Sequence, residues 1–410
     1  MDKKPEKLVP EVRFKGFTDD WEHRKLENVF TKYQKRINPT QQNLELWSLT
    51  IDQGLVAKTK RYDRSFLVRK NDIFNLVPKG YFVYNPMNIT LGTIDVNKYH
   101  SIAVSGYYIV LKSNDQFNVA FLASLLHTSS MINKYKRFST GSLLEKQRLQ
   151  FPNFAKVKII SPRLSEQTKI GLLMNQINNL IDLQQRKLEL LKQLKKAMLQ
   201  QLFADKNSKQ PNLRFKKFKG DWEQRKLGTV GKAQSGIGFP NKEQGGQKGV
   251  PFFKVSDMNN NGNEFEMTTS NNYVTEQQII SKKWKTITKV PAVIFAKVGA
   301  ALMLNRKRLV TVPFLIDNNT MAYIFSKNWD PYFGKVLFDT LNLPKYAQTG
   351  ALPSFNGSDI ENIKVMFPNQ VEQQIIGCFF ESINGLITHQ QNRLTQLTAL
   401  KKYLLQKLFI

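Results

Sequence analysis

Two stretches of this 410-residue chain are written twice, and that doubling restricts the fold more than any other feature. RFKGFTDDWEHRKL (13–26) returns as RFKKFKGDWEQRKL (214–227), and Pro10–Val29 matches Pro211–Val230 at 12 of 20 positions. Further on, Pro162–Phe203 matches Pro368–Phe409 at 20 of 42 positions. Within that match Glu166-Gln167 answers Glu372-Gln373, and Lys195-Lys196 answers Lys401-Lys402. Between these pairs, residues 30–150 and 231–350 look almost unrelated. A frame segment, a variable globule and a helical segment therefore occur twice, which makes two units rather than the many short ones of a solenoid.

The second repeated stretch predicts a long helix. In the first copy Pro162 and a candidate N-cap, Ser165, stand before Glu166; in the second Pro368 and Glu372 play the same part. Apolar residues then recur at Ile170, Leu173, Ile177, Leu180, Leu188, Leu191, Leu194, Met198 and Leu202. The second series is Ile376, Phe379, Ile383, Leu386, Leu394, Leu397, Leu400, Leu404 and Leu408. This three-four spacing is a coiled-coil stripe. Gln184 and Gln390 interrupt it at one place each; either the pattern stutters there around a polar residue that pins register, or the glutamines face solvent. Such a helix is about 55 Å long, too long for one small globule to cover, so the two helices are expected to bury each other.

The variable parts read as mixed. Strand-like runs at YYIVLK (107–112), VKII (157–160), PAVIFAKVG (291–299) and MAYIF (321–325) alternate with turn residues and with helical stretches such as FNVAFLASLLHT (117–128). The expected class is α+β: two mixed α/β globules separated by two long helices packed as an antiparallel coiled coil, with an internal pseudo-two-fold repeat. The boundaries are drawn at 1–29, 30–161, 162–206, 207–230, 231–367 and 368–410.

Charge narrows the function. Sixty-one Lys and Arg stand against 32 Asp and Glu, a formal +29. So much like charge on one fold is self-repulsive, and a polyanion relieves it; nucleic acid is the natural partner. A lysine-rich surface kept for solubility is the alternative. The basic residues are dispersed, unlike those of a membrane-binding amphipathic helix. No run of eighteen apolar residues and no signal-peptide core at MDKKPEKLVPEV are found, so a cytoplasmic protein is expected. One cysteine, Cys378, excludes an internal disulfide framework, and four scattered histidines leave little for structural zinc.

No catalytic constellation assembles. The chain lacks GxxxxGK[ST] and HExxH. Asn85-Pro86-Met87 comes near the Asn-Pro-Pro-aromatic turn of amino-methyltransferases but lacks the second proline, and SGIGF (235–239) lacks the context of a cofactor loop. Acidic residues are too scattered for a nuclease metal site. What the globules do carry is basic clusters. AKTKRYDRSFLVRK (57–70) interleaves Lys58, Lys60, Arg61 and Arg64 with Tyr62 and Phe66, and LNRKRLV (304–310) gathers Asn305, Arg306, Lys307 and Arg308. Arg and Lys suit guanine edges, Asn suits adenine, and any of them can hold phosphates. Each cluster taken alone could be a solvated loop.

With these features in order, the chain resembles the specificity subunit of type I restriction–modification systems, over nearly its whole length. The carriers are the two frame segments, PKGYFVYNPMN and AVSGYYIVLK in the first globule, and GVPFFKVSDMN with the stretch from PAVIFAKVGAAL to IDNNTMAYI in the second. Ser139-Thr140-Gly141-Ser142 and Gln348-Thr349-Gly350-Ala351 then precede each last strand and helix. The resemblance implies two target recognition domains, each reading one half of a bipartite DNA sequence. It implies helices that set the spacing and dock two methyltransferase subunits, with restriction subunits joining. No cofactor is then expected on this chain; S-adenosylmethionine, ATP and Mg would belong to the partners. The candidate DNA-contact set adds Tyr84, Asn85, Ser105, Tyr107, Thr140, Lys254, Ser256, Asp257, Lys297, Asn319 and Thr349 to the two basic clusters. Two alternatives stay open, a stand-alone DNA-modifying enzyme and an architectural basic protein.

The doubled frame segment also has two readings. Trp21 and Trp222 could anchor each globule, with Asp20 and Asp221 capping a short helix. Or Arg13, Lys15, Arg24, Lys25 and their counterparts could touch DNA. Anchoring is the reading adopted, since the segment stays alike where the globules diverge.

Overall fold

A computed structural model describes residues 8–39, 42–58, 73–141, 147–204, 208–348 and 352–410. The chain divides into two compact units, residues 1–184 with 394–410, and residues 185–393. Each unit therefore takes its globule, the opening of one long helix and the closing turns of the other. The long helices are Leu164–Gln201 and Gln370–Lys407, 38 residues each.

In the first unit a four-stranded antiparallel sheet (Phe30–Tyr33, Ile109–Ser113, Phe82–Tyr84, Ile94–Val96, in spatial order) lies beside a five-stranded mixed sheet. The second unit repeats the four-stranded sheet with Gly231–Ser235, Thr320–Phe325, Ala292–Ala296 and Lys307–Val310. Beside it stands a smaller three-stranded sheet, Tyr273–Val274, Val250–Phe253 and Leu315–Ile316. The central strands are apolar on both faces; Ala292–Ala296 is buried throughout, as a strand covered on two sides must be.

The doubled frame segment is a mount, and the two units build it alike. Glu22–Lys25 pairs antiparallel with Lys158–Ser161, and Glu223–Lys226 with Lys364–Phe367. Trp21 and Trp222 are each 2% exposed. Trp21 meets Phe121 edge-on, and Phe121 stacks on Phe409 at 5.5 Å. Trp222 meets Phe333 in the same way, and Phe333 stacks on Phe203 at 5.5 Å. Each tryptophan thus joins a globule helix to the residues just past the end of a long helix. Ile170 and Met174 share this core with Leu408 and Phe409 in the first unit, while Ile376 and Phe380 share it with Leu202 and Phe203 in the second. The beginning of one long helix lies beside the end of the other, so in each unit the pair is antiparallel.

A buried ion pair completes each mount. Arg13 donates Nε and Nη2 to the two carboxylate oxygens of Glu166, both at 2.8 Å, and Arg214 does the same to Glu372 at 2.7 and 2.8 Å. Both glutamates are 1% exposed, and the bonds hold both guanidiniums above their ordinary pKa. The neighbouring glutamines clamp the globule. Gln167 accepts from the Asn118 N–H and donates to the Pro162 carbonyl; Gln373 accepts from the Asp330 N–H and donates to the Pro368 carbonyl. Arg13 and Arg214 are therefore spent on the frame. The expected cap by Asp20 and Asp221 does not form: Asp221 instead accepts from Gln210. Ser165 is likewise not an N-cap but sits inside the first turn, with Arg163 O taking the first helical bonds. Asn369 caps the second helix, through its side chain to Glu372 N.

The helix seam differs from the leucine series. Burial follows Ile170, Met174, Ile177, Ile181, Gln184, Leu188, Leu191, Lys195, Met198 and Leu202, and in the second helix Ile376, Phe380, Ile383, Ile387, Gln390, Leu394, Leu397, Lys401, Leu404 and Leu408. These steps of four and three never break, so there is no stutter. Leu180, Leu194, Leu386 and Leu400 lie on an outer flank, 42–48% exposed. Gln184 and Gln390 do not face solvent; they are 8% and 3% exposed, and each leaves its Oε1 without a hydrogen bond.

Candidate nucleic-acid interface

Each globule gathers candidate residues at one rim of its sheets. In the first, the turn Ser105–Tyr108 closes with a bond from Tyr108 N to Ser105 O, and Asn75 Nδ2 donates to the carbonyls of Gly106 and Tyr108. That fixes the turn and leaves Tyr107 projecting, 52% exposed, with its hydroxyl 3.4 Å from Met87 Sδ. Phe74 pairs with Ser105, and Lys58 stands 5.6 Å over the Phe74 ring. A second segment covers the same rim: Thr140 and Arg148 exchange two backbone bonds of 2.9 Å, and Leu149 N donates to Pro86 O. Lys58, Ser105, Tyr107 and Thr140 are thus brought together. Exposed Arg148, which is not among the candidates taken from the sequence, joins them. Lys60, Arg61 and Arg64 lie outside the described residues.

The second rim is built by the same logic from different residues. Lys297 N donates to Asn319 O, Phe355 N donates to Lys297 O, and Gln348 N donates to Ser354 O. Lys297 Nζ reaches Ser235 Oγ at 3.2 Å, and Asn319 Nδ2 reaches Asp317 Oδ2 at 3.2 Å. Asp317 N donates to Phe253 O, which brings Lys254 and exposed Ser256 to the same end; Lys254 Nζ donates to Gln244 at 2.9 Å. The close approach of Ser235-Gly236 to Asp317 explains SGIGF: a Cβ on Gly236 would stand 1.9 Å from Asp317 O. Lys254, Ser256, Lys297 and Asn319 therefore share one rim. Thr349 lies outside the described residues.

Several candidates leave the set because the protein already uses them. Tyr84 is fully buried, stacks on Phe154 at 4.9 Å, and has its hydroxyl pKa raised by burial. Asn85 is 4% exposed and holds its own turn by accepting from Met87 N. Asp257, also fully buried, accepts from Lys254 N, Asn271 N and Ser270 Oγ; burial nevertheless raises its pKa.

The LNRKRLV cluster is a correction of another kind. It is not a basic turn but the start of strand Lys307–Val310. Lys307 Nζ and Asn305 Nδ2 both donate to Leu341 O, the C-cap carbonyl of helix Pro331–Thr340, where a positive charge suits the helix dipole. Lys307 is 2% exposed, and burial lowers its pKa to about 8. Arg308 donates to Lys307 O and Met258 O, and its pKa is lowered by burial first of all. Arg306 bonds Asn259. These side chains knit the second globule together.

Among the described residues no group of three or more His, Cys, Asp and Glu is placed to hold a metal ion, and no helix is long and apolar enough to cross a membrane.

Comparison with known proteins agrees with this geometry. The family model for the type I restriction modification DNA specificity domain matches twice, at residues 18–193 and 199–399. The MjaIX type I restriction enzyme specificity subunit of Methanocaldococcus jannaschii is 25% identical over 308 residues, covering 70% of this chain and 67% of its own. The crystal structure of an S subunit from M. genitalium superposes with a TM-score of 0.65 at 14% identity, over 98% of this chain and 99% of that one. A chain from a structure on the assembly and conformational transition of the type I R-M system gives 0.53 at 15% identity, covering 99% of both.

Proposed function

The chain belongs to the type I restriction–modification DNA specificity family, and we propose that its two rims each read one half of a bipartite, asymmetric DNA target. It is a specificity subunit with two target recognition domains. The observation that carries the proposal is an identical mount bearing different rims. Arg13–Glu166 with Trp21 and Arg214–Glu372 with Trp222 are the same construction, whereas the rims they hold present Lys58, Tyr107, Thr140 and Arg148 in one case and Lys254, Ser256, Lys297 and Asn319 in the other. Equal mounts present both readers in one pose; unequal rims read unequal half-sites. The long helices are proposed to set the gap between halves and to dock two methyltransferase subunits and the restriction subunits. Catalysis, with S-adenosylmethionine, ATP and Mg, is assigned to those partners and none of it to this chain.

The test is to co-express the chain with its cognate methyltransferase subunits and map the methylated bases. A two-part motif with a fixed unspecified gap is expected. Exchanging residues 30–150 for another such globule should change one half only. A change in both halves, or methylation by the purified chain alone, contradicts the proposal.

A further inference from the structure

The repeat lets one unit disclose what the other is missing. Gln167 grips Asn118 as Gln373 grips Asp330, which aligns the globule helices that follow them. Ala120 then corresponds to Tyr332, Ala123 to Lys335 and His127 to Asp339, while Lys401 corresponds to Lys195 through the helix repeat. In the second unit these positions enclose an aromatic ring from the chain itself. Phe265 stacks on Tyr332 at 6.2 Å, with Lys335 Nζ 4.5 Å and Lys195 Nζ 5.8 Å from its centre, and Asp339 takes the Lys335 ammonium at 2.6 Å. A ring face between two ammonium groups is a favourable seat for both.

Among the described residues, the first unit has the seat without the ring. Small residues, Ala120 and Ala123, stand where Tyr332 and Lys335 stand in the other copy, and they open a cleft of about 1380 Å³. His127, Asn178 and Asp182 line it, and half-buried Lys401 faces in with no hydrogen bond or ion pair among the described residues. Burial first, and then the Lys98 ammonium, lower the pKa of Lys401, while Asp182 and Asp95 favour its charge from a distance. We infer that this cleft receives an aromatic side chain from a protein partner, seated over Lys401 as Phe265 is seated over Lys195. The cleft's own charge argues against nucleic acid as the occupant. Asp52, Asp95, Asp115 and Asp182 line it together with Lys79, Lys98 and Lys401, so its carboxylates offset its ammonium groups; it lacks the basic excess of a chain whose net charge is +29 and offers phosphates no net attraction. A protein segment that brings an aromatic ring and basic or amide groups meets both the lysine and the carboxylates.

The choice of methyltransferase subunit as probe rests on the function proposed above. Ala123→Phe fills the cleft from within, and Ala123→Ser leaves it open. With the purified full chain and the cognate methyltransferase subunit, Ala123→Phe should weaken binding at least tenfold, while Ala123→Ser binds like wild type. A photoreactive benzoylphenylalanine at Asn178 should cross-link to a subunit peptide containing Phe, Tyr or Trp; this reading decides the matter if Ala123→Phe does not fold. Equal binding by wild type and a folded Ala123→Phe, or a cross-link confined to this chain, overturns the inference while leaving the proposed function intact. No binding by wild type overturns both.

Discussion

Removing Glu166 tests whether the frame segment is a mount. Both oxygens of this 1%-exposed carboxylate are given to Arg13, and Glu166→Ala would leave the guanidinium only the Asp19 carbonyl at 2.6 Å. Stranding a buried charge costs about 3–5 kcal/mol; Arg13 is 14% exposed and still meets water, so a loss near the lower end, about 3 kcal/mol, is expected. Arg13→Met strands Glu166 and should cost about as much. The double variant Arg13→Met/Glu166→Ala removes both charges with their desolvation, so it should cost no more than either single change, a coupling of at least about 3 kcal/mol. Urea unfolding of the four proteins by circular dichroism gives the coupling. Hydrogen exchange then locates it, because the Val12 and Trp21 amides, bonded to Lys407 O and Leu8 O, should open first. The rival reading, a DNA contact, makes a different prediction. Arg13→Met would then leave stability unchanged and lower the salt slope of DNA binding by about one. Additive stability effects, or that change in slope, would refute the mount.

Three further outcomes are expected. Gly171→Ala and Gly377→Ala should each lower the melting temperature, although alanine is normally the better helix residue by about 1 kcal/mol; the new Cβ would stand 2.4 Å from Asn118 Oδ1 or 2.2 Å from Asp330 Oδ1, and a rise in melting temperature would contradict this packing. Lys307 keeps a pKa of about 8 when folded against an ordinary 10.5, so between these values the unfolded chain holds the extra proton and stability should climb with pH. The gain across that window is about 3 kcal/mol, read as urea midpoints near its lower and upper ends; the same climb in Lys307→Met would sink the assignment. Gln184→Leu and Gln390→Leu should each stabilise the chain by about 1 kcal/mol by removing a buried unpaired oxygen, and a loss of stability would show that the glutamines have partners.

Identical residues in repeated segments proved the most legible part of the sequence. Trp21, Arg13, Glu166 and Gln167 recur because one packing problem, a globule gripping a helix end, is solved twice. The seam was harder to read. Leu172, Leu183 and Leu190 are exposed on the flank beside it, so leucine content could not tell the inner row from the outer, and Lys195 and Lys401 occupy seam positions that hydrophobicity alone assigns to solvent. LNRKRLV misled for a related reason. Charge in a sequence suggests a surface, yet Lys307 is needed at a buried helix terminus. The rims were legible only in part, since Thr140 and Arg148, or Lys297 and Asn319, meet through bridges across loops that no local pattern announces.

The mounts differ in one respect, and it leads to a last prediction. In the second unit the frame segment follows the helix it grips in sequence: Leu213 N–H donates to the Gln201 carbonyl at 2.8 Å. In the first, Val12 N–H makes the equivalent bond to Lys407, the far end of the other helix in sequence, at 3.0 Å. The frame segments are offset by 201 residues and the helices by 206, so Ala204–Asp205 corresponds to Ile410 followed by Lys4. Joining Ile410 directly to Lys4 should therefore reproduce the central junction residue for residue, and opening the chain between Ala204 and Asp205 should leave a contact like that of Val12 to hold the new end. The permuted chain trades one loop closure for another of similar length, so its stability should lie within about 1 kcal/mol of the parent. Urea unfolding measures this, and methylation mapping with the same partners should return the parent motif. A permuted chain that fails to fold, or that directs methylation to a different sequence, would show that the two mounts are not equivalent.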